Sequence, residues 1–172
     1  MAVGNLLKVA QLKLDHDDDA VEVLRVACDE LGEAQTELRD LARGLHPVAL
    51  SERGLPAAIE SLSAASALCV TIDVCPDELP DEIAAAAYFV VAECLTNASR
   101  YGQACDVVIT VAREDGHLHM EVADDGVGGA DPAKGTGLLG LADRLEVLGG
   151  ALEVHSPEGE GTRIRARVPL AA

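Results

Sequence analysis

Between Asp124 and Gly140 the chain reads DDGVGGADPAKGTGLLG, and no other stretch restricts its fold as strongly. Gly126, Gly128, Gly129, Gly135, Gly137 and Gly140 lie between two patterned segments. HLHMEVAD ahead of them alternates apolar and polar residues, and LADRLEVLGG behind them repeats its apolar residues at helical spacing. The order is therefore strand, glycine-rich loop, second glycine cluster, helix. Glycine tolerates positive φ and lets backbone N–H groups approach a ligand, and a loop feeding a helix start presents unpaired N–H donors to an anion. The stretch predicts a phosphate cradle. It is not a Walker loop, since no Gly-Lys-Ser/Thr follows, and its spacing does not open a Rossmann unit. A flexible connection would read the same way on its own, so a second feature is needed to tell the two apart.

That feature lies upstream, in EIAAAAYFVVAECLTNASRYG. Glu93 and Asn97 are four residues apart and share one helix face. The helix is otherwise apolar from Ile83 to Ala98, so a carboxylate and a carboxamide there mark a polar site. Arg100 and Tyr101, seven and eight residues after Glu93, are expected on the same face, with Arg100 in reach of a phosphate. Asp124 closes a strand, where the backbone can hold a carboxylate towards a pocket; its neighbour Asp125 is the second candidate.

The rest of the chain supplies a frame. LCVTIDV (68–74), VVITVAR, HLHMEVAD, ALEVH and RIRARV each place apolar residues at alternate positions, with turns expected at Asp115-Gly116 and over Glu158 to Gly161. Such strands bury one face of a sheet and wet the other. LPAAIESLSAASA, the Glu93 helix and the helix after Gly140 would cover the buried face, giving an α+β, two-layer sandwich. Ahead of this, Val21, Leu24, Cys28, Leu31, Leu38, Ala42 and Leu45 repeat in steps of three and four, with Gln35 breaking the seam. A stripe that narrow requires a partner helix, either residues 3–14 or a second copy; two hairpins joined as a four-helix bundle satisfy both. His46-Pro47 ends that helix and VALSERG reads as a linker. The expected division is 1–53 for partial dimerisation helices and linker, and 54–172 for the main domain.

A formal net charge of −17 on 172 residues speaks against direct nucleic-acid binding and against a polybasic membrane patch. Any polyphosphate bound here needs locally placed cations or Mg²⁺. Cys28, Cys69, Cys75, Cys94 and Cys105 form no CxxC pair, and 28, 94 and 105 sit in patterns where a thiol packs as a small hydrophobe. A reducing, cytoplasmic setting without a zinc site is expected. No apolar run reaches the ~18 residues of a membrane span, so any membrane attachment would come from segments upstream.

Three motifs resemble those of one ATPase family. Glu93-Cys-Leu-Thr-Asn97 is similar to the N box, Asp124-Asp-Gly-Val-Gly128 to the G1 box, and Gly135-Thr-Gly-Leu-Leu-Gly-Leu141 to the G2 box of the family shared by gyrase, the heat-shock chaperone, histidine kinases and the mismatch-repair protein MutL. LRDLARGLHPVALSERGL (38–55) resembles the join between dimerisation helix and ATPase domain in sensor histidine kinases that partner response regulators of the NarL type. The resemblance implies the GHKL (Bergerat) fold, a mixed sheet under three helices, with ATP and Mg²⁺ between the helices and a lid over 129–136.

By that resemblance Asn97 holds Mg²⁺, for which its hard side-chain oxygen is suited. Glu93 orients water or accepts the proton of the attacking group. Asp124 takes a hydrogen bond from the adenine amino group. Gly126 and Gly128 let the base approach, and Thr162 resembles the threonine beside it. Gly135, Gly137, Leu138 and Gly140 form the phosphate-facing turn before the third helix. Tyr101 stands where relatives often carry histidine, which removes any contact from that side chain. No acceptor histidine is identified: His16 lies in an acid run, His46 at the linker, and His117, His119 and His155 on the polar side of strands. The implied function is the ATP-binding catalytic core of a sensor histidine kinase, truncated ahead of its acceptor. It would dimerise through the N-terminal helices and serve a response regulator with a helix-turn-helix output domain. The alternatives are an anti-sigma-factor serine kinase-like switch, which would begin nearer the ATPase domain, and a nucleotide-binding pseudoenzyme, against which Glu93, Asn97 and Asp124 count.

Overall fold

The structure, a computed structural model, describes residues 48–75, 78–131 and 136–170. The coiled-coil seam, residues 3–14, His16, His46 and Gly135 lie outside the described residues.

The order of elements is α1 (Val48–Ala64), β1 (Cys69–Val74), α2 (Asp81–Asn97), a π-helical turn (Ala98–Gly102), β2 (Asp106–Glu114), β3 (His117–Asp124), α3 (Thr136–Val147), β4 (Ala151–His155) and β5 (Thr162–Pro169). The strands form one five-stranded sheet in the order β1-β2-β3-β5-β4. β1 runs parallel to β2, from Cys69 opposite Asp106 to Val74 opposite Val111, and the other pairs are antiparallel. Alternation puts the side chains where the sequence predicts. Val107, Ile109 and Val111, Leu118, Met120 and Val122, and Ile164, Ala166 and Val168 are buried, while Leu152 and Val154 are half-buried. The expected Asp115-Gly116 turn is present, both residues at positive φ (49° and 73°), as a two-residue hairpin with the twist of its strands requires.

One core unites this face with all three helices. α1 contributes Leu55, Ala58 and Ile59, α2 a run from Ile83 to Leu95, and α3 Leu138, Leu141 and Leu145 at helical spacing. With few aromatics available, small side chains fill it: Ala84, Ala86 and Ala87 let α2 lie close, and the Phe89 ring lies under the Arg144 guanidinium, 4.7 Å away. Asp81 and Glu82 in the first turn of α2 oppose its positive end.

One expectation is corrected here. VALSERG is not an irregular linker: Val48 to Arg53 is helical and continues into the expected helix across a break at Gly54 (φ 76°, ψ 175°). Leu50, buried in the core, explains why, since burying that side chain offsets the ordering of one extra turn.

Candidate functional site

Asp124 is the last residue of β3, in register with Val107 of β2 and Thr162 of β5. Its half-buried carboxylate is held by backbone donors: Oδ1 accepts the N–H of Gly126 at 2.9 Å and of Thr162 at 3.2 Å. The first bond is the local turn that an aspartate makes two residues on. Gly126 is buried, and a Cβ there would collide with the Gly102 carbonyl, so only glycine lets the chain turn this tightly. Gly161 sits at φ +76° with its Cα against the Asp124 carbonyl, which makes it as necessary as the motif glycines although it belongs to none of the three boxes. Asp125 has other work. Its Oδ1 accepts the N–H of Cys105 at 2.8 Å and of Asp106 at 2.9 Å, binding the start of β2 to the end of β3. The Asp106 N–H, then that of Cys105, holds this carboxyl below the usual aspartate range. The two adjacent acids are thus separated in role.

Glu93 and Asn97 are half-buried on the last turns of α2. Beyond Asn97 the helix widens into the π-helical turn and stops at Gln103, whose φ of 50° aims its N–H at the Ala98 carbonyl. Arg100 and Tyr101 both lie in this turn and are exposed, so their direction follows from the π-helical turn and not from α-helical spacing after Glu93. What the turn does deliver is Gly102. Its carbonyl accepts the Val127 N–H at 2.7 Å, and a Cβ on it would lie 3.6 Å from the Asn97 carbonyl and 3.7 Å from Asp124 Oδ1. The end of α2 and the glycine loop after β3 are thereby in contact.

The second glycine cluster meets the same helix. A Cβ at Gly137 would overlap Glu93 Oε1, so the start of α3 lies directly against that carboxylate. Gly137, Leu138 and Gly140 are helical residues and not a turn before the helix, because α3 already begins at Thr136. Leu138 gives its side chain to the core, and a Cβ at Gly140 would meet open space. What faces Glu93 is the helix start, with the N–H groups that no preceding turn can use.

Cys94 lies within the electrostatic reach of both acids. Its thiol is pushed well above its ordinary range by burial, and further by the charges of Glu93 and Asp124 together. Two carboxylates far apart in sequence act on one sulfur atom. Cys94 packs as a small hydrophobe as expected, whereas Cys105 is exposed at the entrance to β2, and Cys28 lies outside the described residues.

Ser156 was not anticipated, since a lone serine ahead of a turn carries no signal. Its carbonyl accepts the Gly129 N–H at 2.9 Å, its hydroxyl oxygen accepts the Ala130 N–H at 3.0 Å, and that oxygen lies 2.9 Å from Thr162 Oγ1. With the Gly159 N–H on the Val127 carbonyl at 2.7 Å, the loop after β3 is tied to the loop between β4 and β5. A hollow of about 430 Å³ is lined by Asp124, Thr162, His155, Glu160, Arg163 and Arg165, and neither Glu93 nor Gly137 borders it.

Residues 82–172 match the model of the Histidine kinase-, DNA gyrase B-, and HSP90-like ATPase family. The chain belongs to this family. It is similar to sensor histidine kinase LiaS of Bacillus subtilis (strain 168), 30% identical over 163 residues, or 91% of this chain and 45% of that protein. It is also similar to sensor histidine kinase YxjM of the same organism, 27% identical over 159 residues, or 92% of this chain and 39% of that one. The chain thus spans less than half the length of both relatives. Among solved structures, the histidine kinase domain of the Erythrobacter litoralis EL346 blue-light activated histidine kinase superposes with a TM-score of 0.63 at 19% identity, covering 98% of this chain and 93% of that one. That likeness concerns the fold, which is the α+β sandwich of this ATPase family.

Proposed function

We propose that this chain is the ATP-binding catalytic core of a two-component sensor histidine kinase. The observation that supports the reading is the approach of Gly137 to Glu93 together with that of Gly102, just beyond the Glu93 helix, to Asp124 and to the Val127 N–H, so that the end of this helix touches both glycine segments. Glu93 and Asp124 both bring negative charge to this region, and both raise the pKa of the buried Cys94 between them and the core, after burial itself. A triphosphate entering it needs positive charge, from Arg100 and from a divalent cation shared with the phosphates. The donors fit Mg²⁺: Asn97 has a neutral hard oxygen, Glu93 a hard carboxylate one turn away, and Mg²⁺ commonly takes few protein ligands and completes its shell with phosphate oxygens and water. When bound, that ion would neutralise charge on the phosphates.

Each residue then has one task. Asp124, with Oδ1 fixed by backbone donors, accepts a hydrogen bond from the adenine amino group. Gly126 and Gly128 keep side chains out of the base's path, and Thr162 stands beside it. The first N–H groups of α3, around Gly137, face the phosphates. Glu93 accepts the proton of the attacking imidazole as the bond from the γ-phosphorus to its bridging oxygen breaks and a bond to nitrogen forms, with ADP leaving. His117, His119 and His155 lie on strand positions of the sheet's outer face, opposite the helices, so the acceptor is another histidine. Relatives named as sensor histidine kinases support a response regulator as next partner, and the 38–55 segment favours one of the NarL type. Dimerisation through the N-terminal helices and a cytoplasmic position belong to the same reading. Among the described residues no helix is long and apolar enough to cross a membrane.

Titration calorimetry with a non-hydrolysable ATP analogue, with and without Mg²⁺, tests this. Wild type is expected to bind more tightly with Mg²⁺, and Asn97→Ala to lose about tenfold of that affinity, the effect of one charge-assisted contact. Identical binding by both proteins would remove Asn97 from the metal.

A further inference from the structure

The outer face of the sheet carries two imidazoles on one strand that the nucleotide site does not use. Leu118 and Met120 are buried on the helix side, so alternation puts His117 and His119 together on the other face of β3. Their ring centroids are 6.1 Å apart, with the ring planes at 58°. The hairpin fixes the first of them. Asp115 and Gly116 turn the chain at positive φ, and the Leu170 N–H on the Gly116 carbonyl at 2.8 Å ties that turn to the chain just past β5. His117 Nδ1 lies 2.9 Å from the Asp115 carbonyl of the same turn. A carbonyl oxygen can only accept, so this contact is a hydrogen bond when Nδ1 carries the ring proton. In the neutral ring Nε2 then keeps its lone pair. That is the arrangement of a metal-bound histidine, with one nitrogen on the ion and the other donating to a carbonyl.

We propose that His117 and His119 chelate one divalent transition-metal ion on the outer face of the sheet, at a site separate from that of the nucleotide. With metal–nitrogen bonds of about 2.1 Å, two imidazoles sharing an ion hold their ring centroids roughly 5 Å apart. The 6.1 Å separation closes to that by side-chain rotation, with the strand unmoved. Imidazole also selects the ion: Zn²⁺, Ni²⁺ and Cu²⁺ suit nitrogen, whereas Mg²⁺ takes oxygen ligands. Neighbouring charges are balanced. Glu114 stands opposite His117 on β2 and Arg167 opposite His119 on β5, while Glu121, two residues along, is paired with Arg165 at 2.6 Å. The net charge of −17 on the chain then favours a cation. Among the described residues no third histidine, cysteine or acid completes a metal cluster, so water fills the remaining positions and the ion exchanges.

The test is titration calorimetry of the untagged full chain with NiCl₂, in the presence of excess MgCl₂, for wild type, His117→Gln, His119→Gln, the double variant and His155→Gln. Wild type is expected to bind Ni²⁺ despite the Mg²⁺, and each single substitution to weaken that binding about tenfold or more, because a second ligand on the same strand acts at high effective concentration. The double variant should be little worse than either single one, and His155→Gln should match wild type, with thermal midpoints of all five within about 3 °C. Wild-type affinity in both single variants overturns the proposal. Losses of about twofold that add in the double variant also overturn it, because they mark two independent rings. So does a wild type that binds no Ni²⁺, and none of these results touches the nucleotide site.

Discussion

The surroundings of Asp124 and those of Glu93 are built by opposite means. Around Asp124 the geometry is fixed by backbone: β3 and β5 hold it in register, Gly126 and Thr162 donate to it, and the Gly161 backbone leaves no room for a side chain. Around Glu93 the defining contact is between a helix start and the far end of a flexible side chain. The first arrangement is set before any ligand arrives. The second depends on the torsions of one side chain, which on the proposed reading suits a region that adjusts during phosphoryl transfer. On the proposed reading, a pre-formed base pocket beside an adaptable phosphate site would let binding of the base anchor the nucleotide while the reacting end is arranged.

Two glycine substitutions test this contrast directly. Gly161→Ala forces a Cβ into the Asp124 carbonyl at a φ of +76°, and strand backbone cannot yield. Its cost is expected on the order of 3 kcal/mol, seen as a fall in the thermal midpoint on the order of 10 °C. Gly137→Ala presses on the Glu93 carboxylate, which can swing aside, and alanine is the better helix residue, so stability should change by less than about 1 kcal/mol. Nucleotide-dependent phosphotransfer to an acceptor histidine supplied in trans should nevertheless fall about tenfold or more, as the displaced carboxylate leaves its place. Calorimetric midpoints and transfer rates on both variants decide the matter. Equal destabilisation would erase the distinction between the two sides.

The same contrast explains what could be read from the chain. Strands with clean alternation, from Val107 to Val168, and the glycine boxes carry their meaning in residue type and spacing, so both the sandwich and the place of Asp124 at a strand end before a tight glycine turn were legible. The helical start of α1 was not, because Pro47 and Gly54 read as punctuation and the burial of Leu50 is a tertiary effect. The π-helical turn leaves no compositional mark, since one extra residue in a turn looks like any helix end before glycine. Ser156, and the contact of the expected turn residue Gly161 with Asp124, were hidden for a related reason: their partners lie on another strand or loop, beyond the reach of local spacing.

Asp125 sharpens the description of the fixed side with a smaller effect. The Asp106 and Cys105 N–H groups depress its pKa from the ordinary 3.8, so the folded state favours the charged form. The stabilisation this gives is present above the unfolded pKa and is lost as pH falls through the lower, folded value. Asp125→Asn keeps an acceptor for the two N–H groups but no proton to take up. Between neutral pH and about pH 3, urea unfolding should therefore show a shallower acid loss for Asp125→Asn than for wild type. Superimposable profiles would mean that the bond does not outlast its exposure to water.

The smallest expected effect concerns Cys94, where the two sides meet. Burial is the larger cause of its raised pKa, and the charges of Glu93 and Asp124 come after it. Removing either charge by Glu93→Gln or Asp124→Asn therefore leaves the dominant cause in place. In the folded protein Cys94 should resist iodoacetamide at mildly alkaline pH in wild type and in both amide variants, while the exposed Cys69 and Cys105 react; in urea all three should be labelled. Peptide mass spectrometry distinguishes the sites. Labelling of Cys94 in one amide variant alone would show that the corresponding carboxylate seals its side of the pocket, and would reverse the ranking of burial over charge.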